Sequence, residues 1–164
     1  MIENCSVRKF ERGDLKRLQE IREAAYKPVF RSFREIVGAE IAPTAMASAE
    51  SEQSDYLEKI CGADSHRDVY VFEENSKIVA FCALAMNHET KLGEIDLNAV
   101  DPDHQGRGIG AWMYSFALER MKEVGMVVAT VGTGGDASHA PARRAYEKVG
   151  FGPAIPSVHY YKLL

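Results

Sequence analysis

The run Val100-Asp101-Pro102-Asp103-His104-Gln105-Gly106-Arg107-Gly108-Ile109-Gly110-Ala111 decides the architecture. It follows Glu94-Ile95-Asp96-Leu97-Asn98-Ala99, which alternates as a strand does, and it leads into helical spacing from Ile109 to Val124. Pro102 ends the strand because it lacks the N–H that a ladder needs. Gly106, Gly108 and Gly110 then fall at alternate positions where the helix begins. Glycine lets backbone N–H groups approach a ligand with no Cβ in the way. The helix start adds unpaired donors and the positive end of its dipole. Together these make a seat for an anion, most often a phosphate or pyrophosphate, and Arg107 brings a guanidinium able to bind a further oxygen. The plain alternative is a tight strand-to-helix turn with no ligand. Two familiar phosphate loops do not fit. Counted from Gly108 and Gly110, the dinucleotide fingerprint needs glycine where Met113 stands, and Gly-Lys-Ser/Thr is absent.

Outward from this run the pattern stays regular. Ile109, Trp112, Met113, Phe116, Ala117, Met121 and Val124 give the helix a broad apolar face, and Gly125 closes it. A strand is expected over Met126–Val131, a glycine loop over Gly132–Asp136, a short helix ending at Gly150 and a last strand over Ser157–Leu164. Upstream, Lys77–Asn87 is apolar almost throughout, as in a central strand buried on both faces. Val69–Phe72 and Ser6–Glu11 read as further strands. Between those two lie helical stripes: Leu15, Leu18, Ile21 and Ala25, then, after an interruption at Pro28, Phe30, Phe33, Ile36 and Val37. A third stripe runs from Met46 to Ile60. In the strand before the glycine run, strict alternation puts Glu94, Asp96 and Asn98 on one face and Ile95, Leu97 and Ala99 on the other.

Composition bounds the function. The 164 residues suit a single domain, 1–164, with 46% apolar and 27% charged residues, as in ordinary soluble proteins. No apolar run reaches the ~20 residues of a membrane span. The first residues show no charged region followed by an apolar one, so no secretory leader is expected and a cytoplasmic location is. A net charge of −4 argues against nucleic-acid binding. Cys5, Cys61 and Cys82 are scattered, which suits free thiols in a reducing compartment, and the histidines lack metal-ligand spacing, so no metal is expected.

Gln105-Gly106-Arg107-Gly108-Ile109-Gly110 fits Gln/Arg-x-x-Gly-x-Gly/Ala, and Ala142-Arg143-Arg144-Ala145-Tyr146-Glu147-Lys148-Val149-Gly150-Phe151 fits Ala-x-x-(apolar)-Tyr-Glu-x-x-Gly-Phe. In this order the two blocks resemble the GNAT superfamily of N-acetyltransferases, firmly over residues 70–164 and in outline before that. The resemblance implies an α/β fold: a mixed, mostly antiparallel sheet flanked by helices, with two strands splayed to admit acetyl-CoA. It implies that Gln105, Gly106, Arg107, Gly108, Ile109, Gly110 and Ala111 hold pyrophosphate, and that Ala99 and Val100 pair with the pantetheine arm. His139 stands where related chains often carry an asparagine that bonds this arm, and Arg143 either reaches a phosphate or lies on the surface.

Acetyl transfer to an amine needs a base for the ammonium and an acid for the departing thiolate. The resemblance favours Glu94 as base, with Asp96 its rival, and Tyr146 as acid. A phenol suits that task, the unperturbed pKa values of phenol and thiol being roughly 10 and 8.5. Phe30, Arg31, Phe33 and Arg34 either line the acceptor pocket or form core and solvated face. The function implied is acetyl-CoA-dependent transfer to a primary amine of a small molecule or peptide, by direct transfer in a ternary complex. Homodimers are frequent in such a family. The rival readings are a non-catalytic acyl-CoA sensor and a nucleotide-binding module, the latter disfavoured by the missing lysine and metal ligands.

Overall fold

The computed structural model describes residues 4–164, so the reading of the first three residues lies outside it. Five strands form one sheet in sequential order: β1 (Cys5–Lys9), β2 (Arg67–Glu74), β3 (Lys77–Asn87), β4 (Leu92–Val100) and β5 (Val128–Val131). The first four pair antiparallel and β5 joins β4 in parallel, giving the mixed sheet expected. Asn75 and Ser76, with φ of 51° and 62°, make the tight connection from β2 to β3. Positive φ at both central residues is what lets a two-residue turn match the twist of its strands.

Helices cover both faces. On one, α1 (Leu15–Val37) and α3 (Ala49–Ile60), joined through the short α2 (Ala42–Ala45), bury Leu18, Ile21, Leu57 and Ile60 against Val71, Phe81 and Ala83. On the other, α4 (Ile109–Glu123) lays Ile109, Met113, Ala117 and Met121 on Phe72, Val79, Leu84 and Ile95, with α5 (Ala140–Lys148) beside it. The uninterrupted apolar run of β3 is explained by these two layers: Phe81 and Ala83 serve one core, Cys82 and Leu84 the other. Among the described residues no helix is long and apolar enough to cross a membrane.

Three expectations are corrected. Pro28 does not interrupt α1, which runs through it for 23 residues. Its missing donor and its ring cost a helix about 3 kcal/mol. Val29 and Phe30, buried to 9% and 8% exposure just beyond, supply burial of comparable size. The strand expected over 126–131 begins only at Val128, because the N–H groups of Val127 and Val128 both turn to the Lys91 carbonyl. The last strand, Ser157–Leu164, does not form: residues 151–164 hold neither helix nor strand, and the segment is exposed. Strand pattern alone orders nothing without a neighbouring backbone, and Pro153 and Pro156 remove donors from the approach.

The alternation of β4 is also broken. Cys82 of β3 faces Asn98 and Leu84 faces Ile95, so Ala83 alone stands opposite Asp96 and Leu97. This β-bulge re-aims every side chain beyond it. Asp96 and Leu97 both lie on the α1/α3 side, whereas Asn98, expected beside Asp96, turns to α4 and α5. Past the bulge β4 also loses β5, since their pairing ends at Ile95 and Val131. The two strands diverge there, and the gap opens the cleft described next.

Candidate active site

A cleft of about 840 Å³ runs between α1, the free half of β4, the glycine loop and α5. At one end stands the glycine run expected to seat an anion. Gly106 and Gly108 have φ of 75° and 87°, a left-handed conformation that only glycine adopts at little cost, and a Cβ on either would point into open space. Gly108 is the N-cap of α4, and the helical ladder starts with the Trp112 N–H on the Gly108 carbonyl at 3.0 Å. The donors of Ile109, Gly110 and Ala111 precede that bond, as at any helix start, and border the cleft. Gly110 is different. It lies within the helix, and a Cβ there would make ordinary contacts at 3.8–4.0 Å with Tyr114, Ala145 and Val100.

Arg107 does not offer its guanidinium to the seat. Its two terminal nitrogens donate to both carboxylate oxygens of Glu74 at 2.9 and 2.7 Å, a bidentate pair that pins the loop to the end of β2. The exposed Gln105 is likewise engaged within the chain, donating to the Val100 carbonyl at 3.0 Å. Arg17 of α1 ties down the front of the same loop by donating to Asp101 and, at 3.1 Å, to the Ile78 carbonyl.

Where β4 and β5 part, a polar cluster sits among aromatic rings. Tyr146 of α5 is 6% exposed, packed on Tyr114 with ring centroids 4.5 Å apart and on Phe151 at 5.9 Å. Asn98, delivered to this side by the bulge, accepts from the Tyr114 hydroxyl at 2.9 Å and reaches the Tyr146 hydroxyl at 3.5 Å through its amide. Burial pushes the Tyr146 phenol above its ordinary value, against the opposing hydrogen bonds of Tyr114 and Asn98. The group therefore holds its proton throughout the neutral range. Tyr26 of α1 closes the cluster by donating to the Asn98 carbonyl at 3.0 Å.

The two candidate carboxylates have different surroundings. Asp96 accepts from Arg67 at 2.7 Å and from the Tyr56 hydroxyl at 2.6 Å, so it is held in a network. Glu94 borders the cleft, exposed, and enters no ion pair among the described residues. A carboxylate without a cation is the more available proton acceptor.

The glycine loop after β5 forms a third polar group. His139 Nδ1 lies 2.6 Å from Asp136 Oδ1, and its ring stacks on Phe33 of α1 at 5.6 Å. The other carboxylate oxygen of Asp136 accepts from the hydroxyls of Ser138, at 2.5 Å, and Ser32, at 2.9 Å. Burial works to raise the Asp136 carboxyl, but hydrogen bonds from Ser138, His139 and Ser32 outweigh it and hold the group well below the usual carboxylate range. Arg143 belongs here as well: it donates to the carbonyls of Gly134 and Asp136 at 2.5 and 2.8 Å, so its guanidinium braces the loop.

A pH dependence follows from Asp136. Its folded pKa lies below the unfolded value, so its contribution is complete above about pH 5 and is lost as pH falls below about 4. Asp136→Asn should cost about 1–2 kcal/mol at pH 7, and urea titrations of variant and wild type should converge toward pH 2. A difference that stays constant with pH would show that the ionised carboxylate is not what stabilises the loop.

Of the acceptor-side expectations, Phe33 reaches His139, but Phe30 is core, and Arg31 and Arg34 border a separate hollow between α1 and α2. Sequence reasoning missed Tyr26, Tyr56, Arg67 and Tyr114. Nothing marked them, because each acts through a partner distant in the chain.

A family model described as the acetyltransferase (GNAT) family matches residues 30–151. The chain is 34% identical to a mycothiol acetyltransferase of Gordonia bronchialis over 73 residues, 44% of this chain and 23% of that one. It thus spans about a quarter of that relative's length. In structure it is similar to a GCN5-related N-acetyltransferase of Ralstonia eutropha (TM-score 0.68, 22% identity, 96% and 98% of the two chains covered). It is also similar to a GNAT family acetyltransferase of Brucella melitensis in complex with acetyl-CoA (TM-score 0.61, 20% identity, 96% of each chain covered).

Proposed function

Because the chain belongs to the GNAT acetyltransferase family, we propose that it moves the acetyl group of acetyl-CoA to a primary amine of a small molecule or peptide. The observation that carries this reading is one cleft bordered at once by Gly106, Gly108, Tyr146 and Glu94. An anion seat, a protonated phenol and an unpaired carboxylate are the three groups that acyl transfer to an amine asks of a protein.

Acetyl-CoA supplies an activated acyl group on a thioester whose sulfur leaves as thiolate. The site fits such a molecule: the left-handed glycines leave open space above the α4 donors, and the cleft lies in the size range of cofactor sites. Backbone N–H groups from Gly106 to Ala111 hold its pyrophosphate. Ala99 and Val100, on the part of β4 that β5 leaves free, border the pantetheine arm, and His139 lines the opposite wall. Tyr146 gives its proton toward the sulfur, and the Asn98 amide steadies its hydroxyl. Glu94 takes the ammonium proton, directly or through a water. Asp96, bound by Arg67 and Tyr56, shapes the acceptor side.

Direct transfer within a ternary complex is favoured over a cysteine relay. Cys82 is 1% exposed and burial pushes its thiol far up, while burial pushes Cys61 up to about 11. Neither is a thiolate at neutral pH, and the thiolate is the nucleophile.

The test is calorimetric titration with acetyl-CoA, followed by release of free CoA thiol in the presence of a panel of primary amines. Binding with amine-dependent turnover, and initial-rate lines that intersect when both substrates are varied, is the expected result. Binding without turnover on any amine would favour the sensor reading, and parallel lines would favour a covalent acyl-enzyme. A folded protein that binds no acetyl-CoA would end the proposal.

A further inference from the structure

Making an amide from an ammonium takes two protons off one nitrogen, as its bond to the acyl carbon forms and the carbon–sulfur bond breaks. On the proposed transfer reading, Glu94 takes the first. Tyr146 gives its own proton to the sulfur and must regain one. The second proton still needs an acceptor, and the loop after β5 supplies a candidate.

His139 borders the cleft and is the N-cap of α5. Its Nδ1 lies 2.6 Å from Asp136 Oδ1, in a pair whose side chains are 15% and 12% exposed. Asp136 is held well below the usual carboxylate range, so at neutral pH it is ionised and can only accept. Nδ1 must therefore carry the hydrogen, which leaves the lone pair of the neutral imidazole on Nε2. That nitrogen bonds nothing among the described residues. It is not sealed either, because the only buried, unpartnered side-chain nitrogen or oxygen among them is His104 Nδ1. An imidazole with its hydrogen fixed on one side by a carboxylate and its lone pair open on the other is arranged as a base.

Several elements hold the pair in place. Phe33 of α1 stacks on the ring at 5.6 Å, and Ser32 donates to the second Asp136 oxygen at 2.9 Å. Arg143 of α5 donates to the Asp136 carbonyl at 2.8 Å. Gly134 leaves the necessary room: a Cβ there would run into His139 Nδ1 and stand 2.7 Å from Asp136 Oδ1. Along α5, His139 precedes Tyr146 by about two turns, or ~10 Å, so the two lie on one side of the helix and border one cleft.

We propose that His139 Nε2 is a second general base, taking the last proton the nitrogen sheds as it becomes an amide, with Asp136 holding the imidazole in the required tautomer. The protons then balance. One passes by way of Glu94 to water. The other passes by way of His139, through water, to Tyr146, which has given its own to the sulfur. This role rests on the transfer reading and adds a residue to it.

Two readouts test it, the first on the chain without cofactor. NMR spectra of the imidazole nitrogens, with the His139 signals identified by their loss in His139→Asn, should show the neutral ring with its hydrogen on Nδ1. In Asp136→Asn, whose amide can donate as well as accept, the other tautomer should appear. The second readout is kinetic. Asparagine at 139 keeps a donor and an acceptor but takes up no proton, so His139→Asn should bind acetyl-CoA with near wild-type affinity while kcat falls ~10²-fold or more. His139→Gln serves both purposes should the asparagine variant fold poorly. A ring with its hydrogen on Nε2 in the wild type overturns the proposal. Unchanged kcat in a variant that binds acetyl-CoA overturns it too, leaving the pair as a brace of the loop, and so does a loss confined to acetyl-CoA affinity. A wild type that binds acetyl-CoA but turns over no amine removes the transfer reading, and this role with it.

Discussion

Tyr146→Phe is expected to lower kcat by ~10²–10⁴-fold, the usual worth of a positioned general acid, while acetyl-CoA still binds with near wild-type affinity. The substitution removes one oxygen and keeps the ring. The packing of that ring on Tyr114 and Phe151 is therefore retained, and the variant should fold. What is lost is a proton held in the right place. Burial keeps the phenol protonated at neutral pH, and Asn98 steadies the hydroxyl where β4 and β5 part. Without it, on the proposed mechanism, the departing sulfur would leave as a bare thiolate. Thiol-release kinetics at saturating acetyl-CoA, beside calorimetry on the same preparation, separate chemistry from binding. A drop in kcat below about fivefold would remove Tyr146 from the role of acid.

Gly108→Asp is expected to weaken acetyl-CoA binding by ~100-fold or more, the equivalent of ~2.7 kcal/mol. Two effects add at this residue. Its φ of 87° costs a residue with a Cβ about 1–2 kcal/mol, less for aspartate than for most. The new carboxylate would also stand at the helix start, where on the proposed reading the α4 donors meet the pyrophosphate, and would repel it. Gly110→Ala is the matched control. That glycine is helical, its added methyl meets neighbours at ordinary distance, and alanine is favoured over glycine in a helix by about 1 kcal/mol. It should bind acetyl-CoA as the wild type does and melt slightly higher. Equal losses in both variants would mean that close packing, not an anion seat, explains the glycines.

The contrast between these glycines marks what was legible in the sequence. The strand, turn, glycine run and helix were readable because each is a local pattern, and so were the element types on either side. The continuous apolar run of β3 correctly announced two covering layers. Pro28 misled because a local cost was set against tertiary burial that no window of sequence displays. The final strand misled for the opposite reason: its residues suit a strand, but pairing is a property of two segments. Arg107 was read as a cation beside the glycine run and Arg143 as either a phosphate contact or a surface residue, yet their partners, Glu74 and the loop carbonyls of Gly134 and Asp136, became visible only once the chain was folded. Asn98 was put on the wrong face by faithful use of alternation, because one extra residue in β4 has no signature of its own.

That extra residue also shapes how the site can change over time. Opposite faces of one short strand now present Asp96 and the Asn98 amide that reaches Tyr146, with Leu97 and Ala99 on the α1/α3 side. On the proposed reading, substitutions on α3 around Tyr56 would alter the surroundings of Asp96 without touching the Tyr146 end of the cleft, whereas α1 reaches both sides, through Tyr26 at Asn98 and Ser32 at Asp136. A one-residue deletion between Ile95 and Asn98 would remove the bulge and restore strict alternation, yet it would leave Ile95 opposite Leu84 and Asn98 opposite Cys82, so each face would keep its remaining groups and only Asp96 or Leu97 would be lost. The extra residue thus gives β4 a second place on the α1/α3 side at no expense to the side that carries Asn98.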